Sequence, residues 1–163
     1  GSTQLAIDAV KAAKGAHHFL SVTKQGISAI VATTGNEACH IILRGSSLGI
    51  NFDQGTVDNL GDELKADGVP HRLMIDFSHG NSEKDHNKQP AVAAAVAAQL
   101  ADGSDNIFGV MLESYLVEGR QDLVAGSKGT YGQSITDACI SWETTEEVLD
   151  QLAEAVRLRR GKR

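Results

Sequence analysis

The chain has 163 residues, 41% hydrophobic and 4% aromatic, which suits one domain with a sizeable core. A net charge of −6, a pI near 5.4 and no basic stripe interleaved with aromatics argue against nucleic acid as a partner. No apolar run approaches the ~20 residues of a membrane span, and the start GSTQLAIDAV has neither the basic nor the apolar region of a secretory leader. A cytoplasmic protein without a membrane partner is therefore expected. Cys39 and Cys139 stand far apart without CxxC spacing and are expected as buried free thiols.

Residues 3–14 place Leu5, Ala6, Ala9, Val10 and Ala13 on one helical face. HFLSV (18–22) and ISAIVAT (27–33) are short β-type runs joined by TKQG, a hairpin pattern. HIILRG (40–45) is a continuous apolar run stopped by Arg-Gly. Residues 56–68 predict a helix closing on Gly68, and RLMIDFSHG (72–80) is a second apolar run with a polar end. Residues 90–103 predict a helix with Pro90 in its first turn and Gly103 at its close. IFGVMLES (107–114) repeats the strand theme. Residues 144–160 predict a last helix, with Thr144 and Glu147 as a capping box. The basic cluster Arg157, Arg159, Arg160, Lys162 and Arg163 complements the dipole of that helix.

Strand and helix thus alternate, with three strand starts roughly 32–35 residues apart. Apolar runs without period-two alternation point to strands covered on both faces, hence to a parallel sheet. Right-handed βα units bring the strands' carboxyl ends to one side, where α/β folds place their chemistry. The polar residues there are Arg44, His79 and Glu113, joined by Asp137 after the long segment 114–136. One histidine and two carboxylates suit Mn, Fe, Co or Zn, and a planar guanidinium suits phosphate. The plainer alternatives are a hydrogen-bonded strand-end histidine for His79 and a capping or salt-bridge carboxylate for Glu113. For Asp137 the alternative is an Asx turn or helix cap, and for Arg44 an ordinary ion pair. The Gly-rich VAGSKGTYG lacks a phosphate loop's ending and following helix, so it reads as flexible loop. A full (β/α)8 barrel typically needs ~250 residues, so about three βα units make either a small open sheet or part of a barrel.

At these residues the chain resembles a known family. MIDFSHGNS (74–82), GVMLESYLVEG (109–119), YGQSITDACISWETT (131–145) and HIILRG (40–45) are similar to the C-terminal part of type I, metal-dependent 3-deoxy-D-arabino-heptulosonate 7-phosphate (DAHP) synthases. HFLSVTKQGISAIVATTGN (18–36) resembles that family's inserted hairpin. The resemblance covers essentially the whole chain, in order. It implies an α/β fold that is part of a (β/α)8 barrel. That partial barrel would span residues 1–163, with an inserted hairpin at 18–33 and an active-site loop at 114–136.

It further implies condensation of phosphoenolpyruvate with erythrose 4-phosphate, the first step of the shikimate pathway. His79, Glu113 and Asp137 would be metal ligands for a divalent metal (Mn, Fe, Co or Zn). Arg44 would clamp the phosphoenolpyruvate phosphate, and Phe19, Ser21 and Val31 would line a site for an aromatic amino-acid effector. Lys24 lies inside the matching hairpin and receives no catalytic role. The family's fourth ligand, a Cys in a Gly-Pro-Cys-Ser stretch, and its further substrate-binding Arg and Lys residues have no counterpart here; neither Cys39 nor Cys139 sits in that motif. The resemblance therefore implies the second part of a barrel, inactive alone, that forms a homo-oligomer or pairs with the missing N-terminal part. The alternatives are a non-catalytic half-barrel that binds an effector or partner, and an independently folded metal-dependent hydrolase or phosphate-binding domain.

Overall fold

The computed structural model describes residues 2–162. After α1 (Thr3–Lys14), β1 (His18–Val22) and β2 (Ser28–Ala32) pair antiparallel as a two-stranded sheet of their own. Then β3 (Ile41–Leu43), α2 (Gln54–Ala66), β4 (Leu73–Asp76), α3 (Gln89–Asp102) and β5 (Ile107–Met111) alternate. The chain ends in α4 (Trp142–Gly161). β3, β4 and β5 form a parallel sheet in chain order, with Ile41 opposite Leu73 and Asp76 opposite Met111. The fold is therefore mixed α/β with parallel strands joined through helices.

Local chemistry explains the helix ends. Asp53 caps α2: its carboxylate accepts from the Thr56 amide at 3.0 Å and the Thr56 hydroxyl at 2.7 Å. Gly103 closes α3 in the left-handed region at φ 109°, where its lack of a Cβ removes the steric penalty. α4 begins earlier than the sequence pattern suggests. Ser141, not Thr144, is its cap: the Ser141 hydroxyl accepts from the Thr144 amide at 3.2 Å, which places Thr144 inside the helix. Trp142 is the half-exposed first residue of that helix.

The core lies between one face of the sheet and the helices. Ile41, Leu43, Leu73, Ile75 and Ile107 are buried with Val57, Leu60 and Leu64 of α2, Val92, Val96 and Leu100 of α3, and Val148 and Leu152 of α4. Burial of such side chains contributes roughly 1.5–3 kcal/mol each, an upper estimate for an extended reference chain. The other face departs from the expectation of cover on both sides: Ile42 is 42% exposed and Phe108 45%. The His40 ring meets Phe108 edge-on, with centroids 4.8 Å apart.

Segment 114–136 is also not a plain loop. It holds β6 (Val117–Arg120) and β7 (Gln133–Ser134), paired with each other. The Gln121 side chain ties its stem by donating to the Thr130 and Gln133 carbonyls at 2.7 and 3.1 Å. Cys39 and Cys139 are free but only half-buried. Among the described residues no helix is long and apolar enough to cross a membrane.

Candidate active site

The site begins where β4 runs out. Asp76, fully buried, is the last residue of the strand; its Oδ1 accepts from the Ser78 amide at 2.9 Å and the Ser78 hydroxyl at 2.7 Å. Its Oδ2 lies 2.7 Å from His79 Nδ1. A carboxylate offers only acceptors, so the ring nitrogen facing it carries a proton, and Nε2 is the nitrogen that can present a lone pair. The backbone serves this arrangement. His79 sits at φ 53°, and Glu83 and Lys84 follow at 55° and 63°, three non-glycine residues in the left-handed region within one turn. Such conformations persist only where surrounding contacts over-determine them.

His79 Nε2 points to Glu113, whose Oε1 is 3.7 Å away. Glu113 follows β5, and its main chain is held on two sides. Its amide donates to Gln89 Oε1 at 2.9 Å, while its carbonyl accepts from Gln89 Nε2 at 3.2 Å and from the Ile140 amide at 3.0 Å. Burial above all pushes the Glu113 carboxyl upward; the His79 ring pulls it back, and Asp137 and Asp76 push it further up. Asp137 is exposed and lines the same cavity as His79, Glu113, Ser78, Lys84 and His86. It is carried there by the 137–140 stretch: Ile140 forms a parallel bridge with Ser114, and Cys139 an antiparallel one with Gly119. Burial likewise raises the Cys139 thiol, which leaves it a poor nucleophile.

Arg44 follows β3 and lines a second, adjoining cavity with Ser46, Ile50, Gly80, and the same His79 and Lys84. Among the described residues no salt bridge engages Arg44, so the ordinary ion pair is not what this guanidinium makes. The two strand ends are locked to each other. Asn81 donates to the carbonyls of Leu43 and Asp76 at 3.1 and 2.8 Å and accepts from the Asn51 amide at 3.0 Å. Asn51 in turn accepts from the Gly45 amide at 2.8 Å. Gly45 and Gly80 lie against each other: a Cβ on Gly80 would stand 2.5 Å from the Gly45 carbonyl carbon.

Of the residues singled out by sequence, the structure brings His79, Glu113 and Asp137 to one cavity and Arg44 to its neighbour. Among the described residues, however, no three His, Cys, Asp or Glu side chains form a set that could hold a metal ion. The donor chemistry nevertheless fits a divalent cation: an imidazole nitrogen oriented from behind by a carboxylate, next to carboxylates whose mutual repulsion a cation would relieve. Phe19, Ser21 and Val31 lie apart, in the β1–β2 sheet, where Phe19 is directly opposite Val31 and Ser21 opposite Ala29. Sequence reasoning missed Asp76, Asn51, Asn81 and Gln89. Only Asp76 left a signal, a carboxylate three residues before His79 on a run otherwise apolar.

A parallel α/β sheet that gathers Arg44, His79, Glu113 and Asp137 past the carboxyl ends of its strands belongs to the α/β class that places its chemistry there. The comparisons narrow this. Residues 1–150 match the DAHP synthetase I family. The phospho-2-dehydro-3-deoxyheptonate aldolase of Haemophilus influenzae is 55% identical over 161 residues, 98% of this chain and 44% of that protein. The Phe-sensitive enzyme of that name from Escherichia coli K12 is 53% identical over 99% of this chain and 46% of its own length. The solved structure of the aldolase from Francisella tularensis SCHU S4 superposes with a TM-score of 0.89 at 51% identity, over 98% of this chain and 46% of that one. The chain belongs to the DAHP synthetase I family and spans a little under half the length of these relatives.

Proposed function

We propose that this chain is the C-terminal part of a (β/α)8 DAHP synthase, which joins phosphoenolpyruvate to erythrose 4-phosphate and releases phosphate. The observation that carries the reading is the sharing of His79 by two adjoining cavities, one with the carboxylates Glu113 and Asp137 and one with Arg44. The half-exposed Ile42 and Phe108, and the edges of β3 and β5 that no strand among the described residues pairs, support a barrel completed by further strands.

Each residue then has a definite task. Arg44 holds the phosphoenolpyruvate phosphate through charge-assisted hydrogen bonds. His79 offers Nε2, and Glu113 and Asp137 offer carboxylate oxygens, to a divalent metal. That metal, when bound, supplies Lewis acidity toward the aldehyde oxygen of erythrose 4-phosphate. A bond forms between C3 of phosphoenolpyruvate and the aldehyde carbon. Water adds at C2, and phosphate leaves with cleavage of its C–O bond. Two anionic substrates repel each other, so the cations that hold them together lower the barrier most. Arg44 is one and Lys84, which lines both cavities, a second; the family's further substrate-binding Arg and Lys have no counterpart in this sequence, so the chain is expected to be inactive alone.

A second activity concerns the hairpin. Phe19, Ser21 and Val31 share one of its faces, and the Escherichia coli relative is named Phe-sensitive; an aromatic amino acid bound on that face would act as effector. Leu20 and Ile30, 82% and 73% exposed on the other face, suit contact with a second subunit or with the missing part.

The test combines this chain with the N-terminal part of the Escherichia coli relative and follows phosphate release. Activity is expected only from the combination, with the KM for phosphoenolpyruvate raised by Arg44→Lys. Full turnover by the chain alone, or an unchanged KM in the variant, refutes the reading.

A further inference from the structure

We infer that Gln89 is a positioning residue for the cation site: its buried carboxamide sets where the Glu113 carboxylate stands relative to His79. The inference rests on the reading of His79 and Glu113 as cation ligands.

The geometry is that of a borrowed strand partner. The ladder between β4 and β5 ends at the Asp76–Met111 pair, and the last bond along it runs from the Phe77 amide to the Met111 carbonyl at 2.8 Å. Beyond Phe77 the chain leaves the sheet to make the turn at Ser78–His79, so no main chain from β4 runs beside Glu113. Gln89, the first residue of α3 and 1% exposed, fills that position. Its Oε1 accepts from the Glu113 amide at 2.9 Å and its Nε2 donates to the Glu113 carbonyl at 3.2 Å. One planar group thus reproduces both halves of a ladder pair.

Few side chains can do this. The contact needs a donor and an acceptor on one rigid group at the reach of a two-methylene stem. A glutamate of the same size has no donor for the Glu113 carbonyl when ionised, and a leucine has neither donor nor acceptor. The carbonyl keeps the Ile140 amide on its other side, but the Glu113 amide has only Gln89 among the described residues. Loss of the carboxamide therefore frees the one side of Glu113 that faces β4, from which His79 Nε2 approaches to 3.7 Å.

A buried residue that merely supports the fold would weaken it in every background. A positioning residue acts through Glu113, and a double-mutant cycle separates the two. The experiment uses the full-length protein carrying this segment, titrated with Mn2+ alone by calorimetry, with thermal unfolding followed in parallel. Gln89→Leu and the size-conserving Gln89→Glu are each expected to weaken Mn2+ binding about 10-fold or more, in the range typical of residues that orient ligands. Neither is expected to weaken it further once Glu113→Gln is present. Unchanged Mn2+ affinity in the Gln89 variants, with Glu113→Gln still weakening it, overturns the positioning role and leaves the site reading standing. Equal losses with and without Glu113→Gln also overturn it, since they reduce Gln89 to a structural residue. Should Glu113→Gln itself leave Mn2+ affinity unchanged, the site reading falls and this inference with it.

Discussion

Asn81→Ala tests the lock between the ends of β3 and β4. Asn81 is 3% exposed and its carboxamide makes three hydrogen bonds, to the Leu43 and Asp76 carbonyls and from the Asn51 amide. A net contribution of about 1 kcal/mol per bond puts the loss at about 3 kcal/mol. That is a large share of the roughly 5–15 kcal/mol by which a typical protein is stable. Asn81→Asp is expected to be at least as harmful despite its closer shape. It keeps an acceptor for Asn51 but turns an oxygen toward two carbonyl oxygens that the amide nitrogen now satisfies. The assay is urea unfolding followed by circular dichroism, with the phosphoenolpyruvate KM measured on the folded variants combined with the N-terminal part of the Escherichia coli relative. The KM is expected to rise, because the same bonds hold the Arg44–Gly45 corner against the His79–Gly80 turn. An Asn81→Ala loss under about 1 kcal/mol, or an Asp variant as stable as the original, would refute the lock.

Gly80→Ala is expected to destabilise by about 1–3 kcal/mol, as overpacking does, because the new Cβ would lie 2.4 Å from the Ser46 amide nitrogen and 2.5 Å from the Gly45 carbonyl carbon. Gly161→Ala, whose Cβ meets nothing within 4 Å, serves as the control and should stay within about 0.5 kcal/mol in the same urea titration. Asp53→Ala should cost about 1 kcal/mol at neutral pH by removing the cap of α2. The Thr56 hydroxyl and amide hold the Asp53 carboxyl below its ordinary value of 3.8. A depressed folded value means that this part of the stability is present above pH 3.8 and disappears as pH falls through the lower folded value. The two proteins should therefore converge in thermal stability under strong acid; a gap that persists there would show that the cap does not act through its charge.

The order of helices and strands was legible in the chain, because apolar spacing and the punctuation by Pro90 and Gly103 are local signals. The strand ends were legible too, since Arg44, His79 and Glu113 each interrupt an apolar run. The start of α4 was not: Ser141 and Thr144 offer equal capping chemistry, and only the backbone path into the helix selects between them. Nor was the half-exposure of Ile42 and Phe108. Both look like any core residues in sequence, and how far they are covered depends on what packs there. The residues that hold the site from behind were hidden for the same reason. Asn81 reaches Leu43 across 38 positions, and Gln89 meets Glu113 across 24. Sequence by itself determined which side chains carry charge, proton or lone pair at the strand ends. Only the tertiary structure decided which of them face one another, because a hydrogen bond at 3 Å is set by the meeting of separate elements and leaves no spacing in the chain.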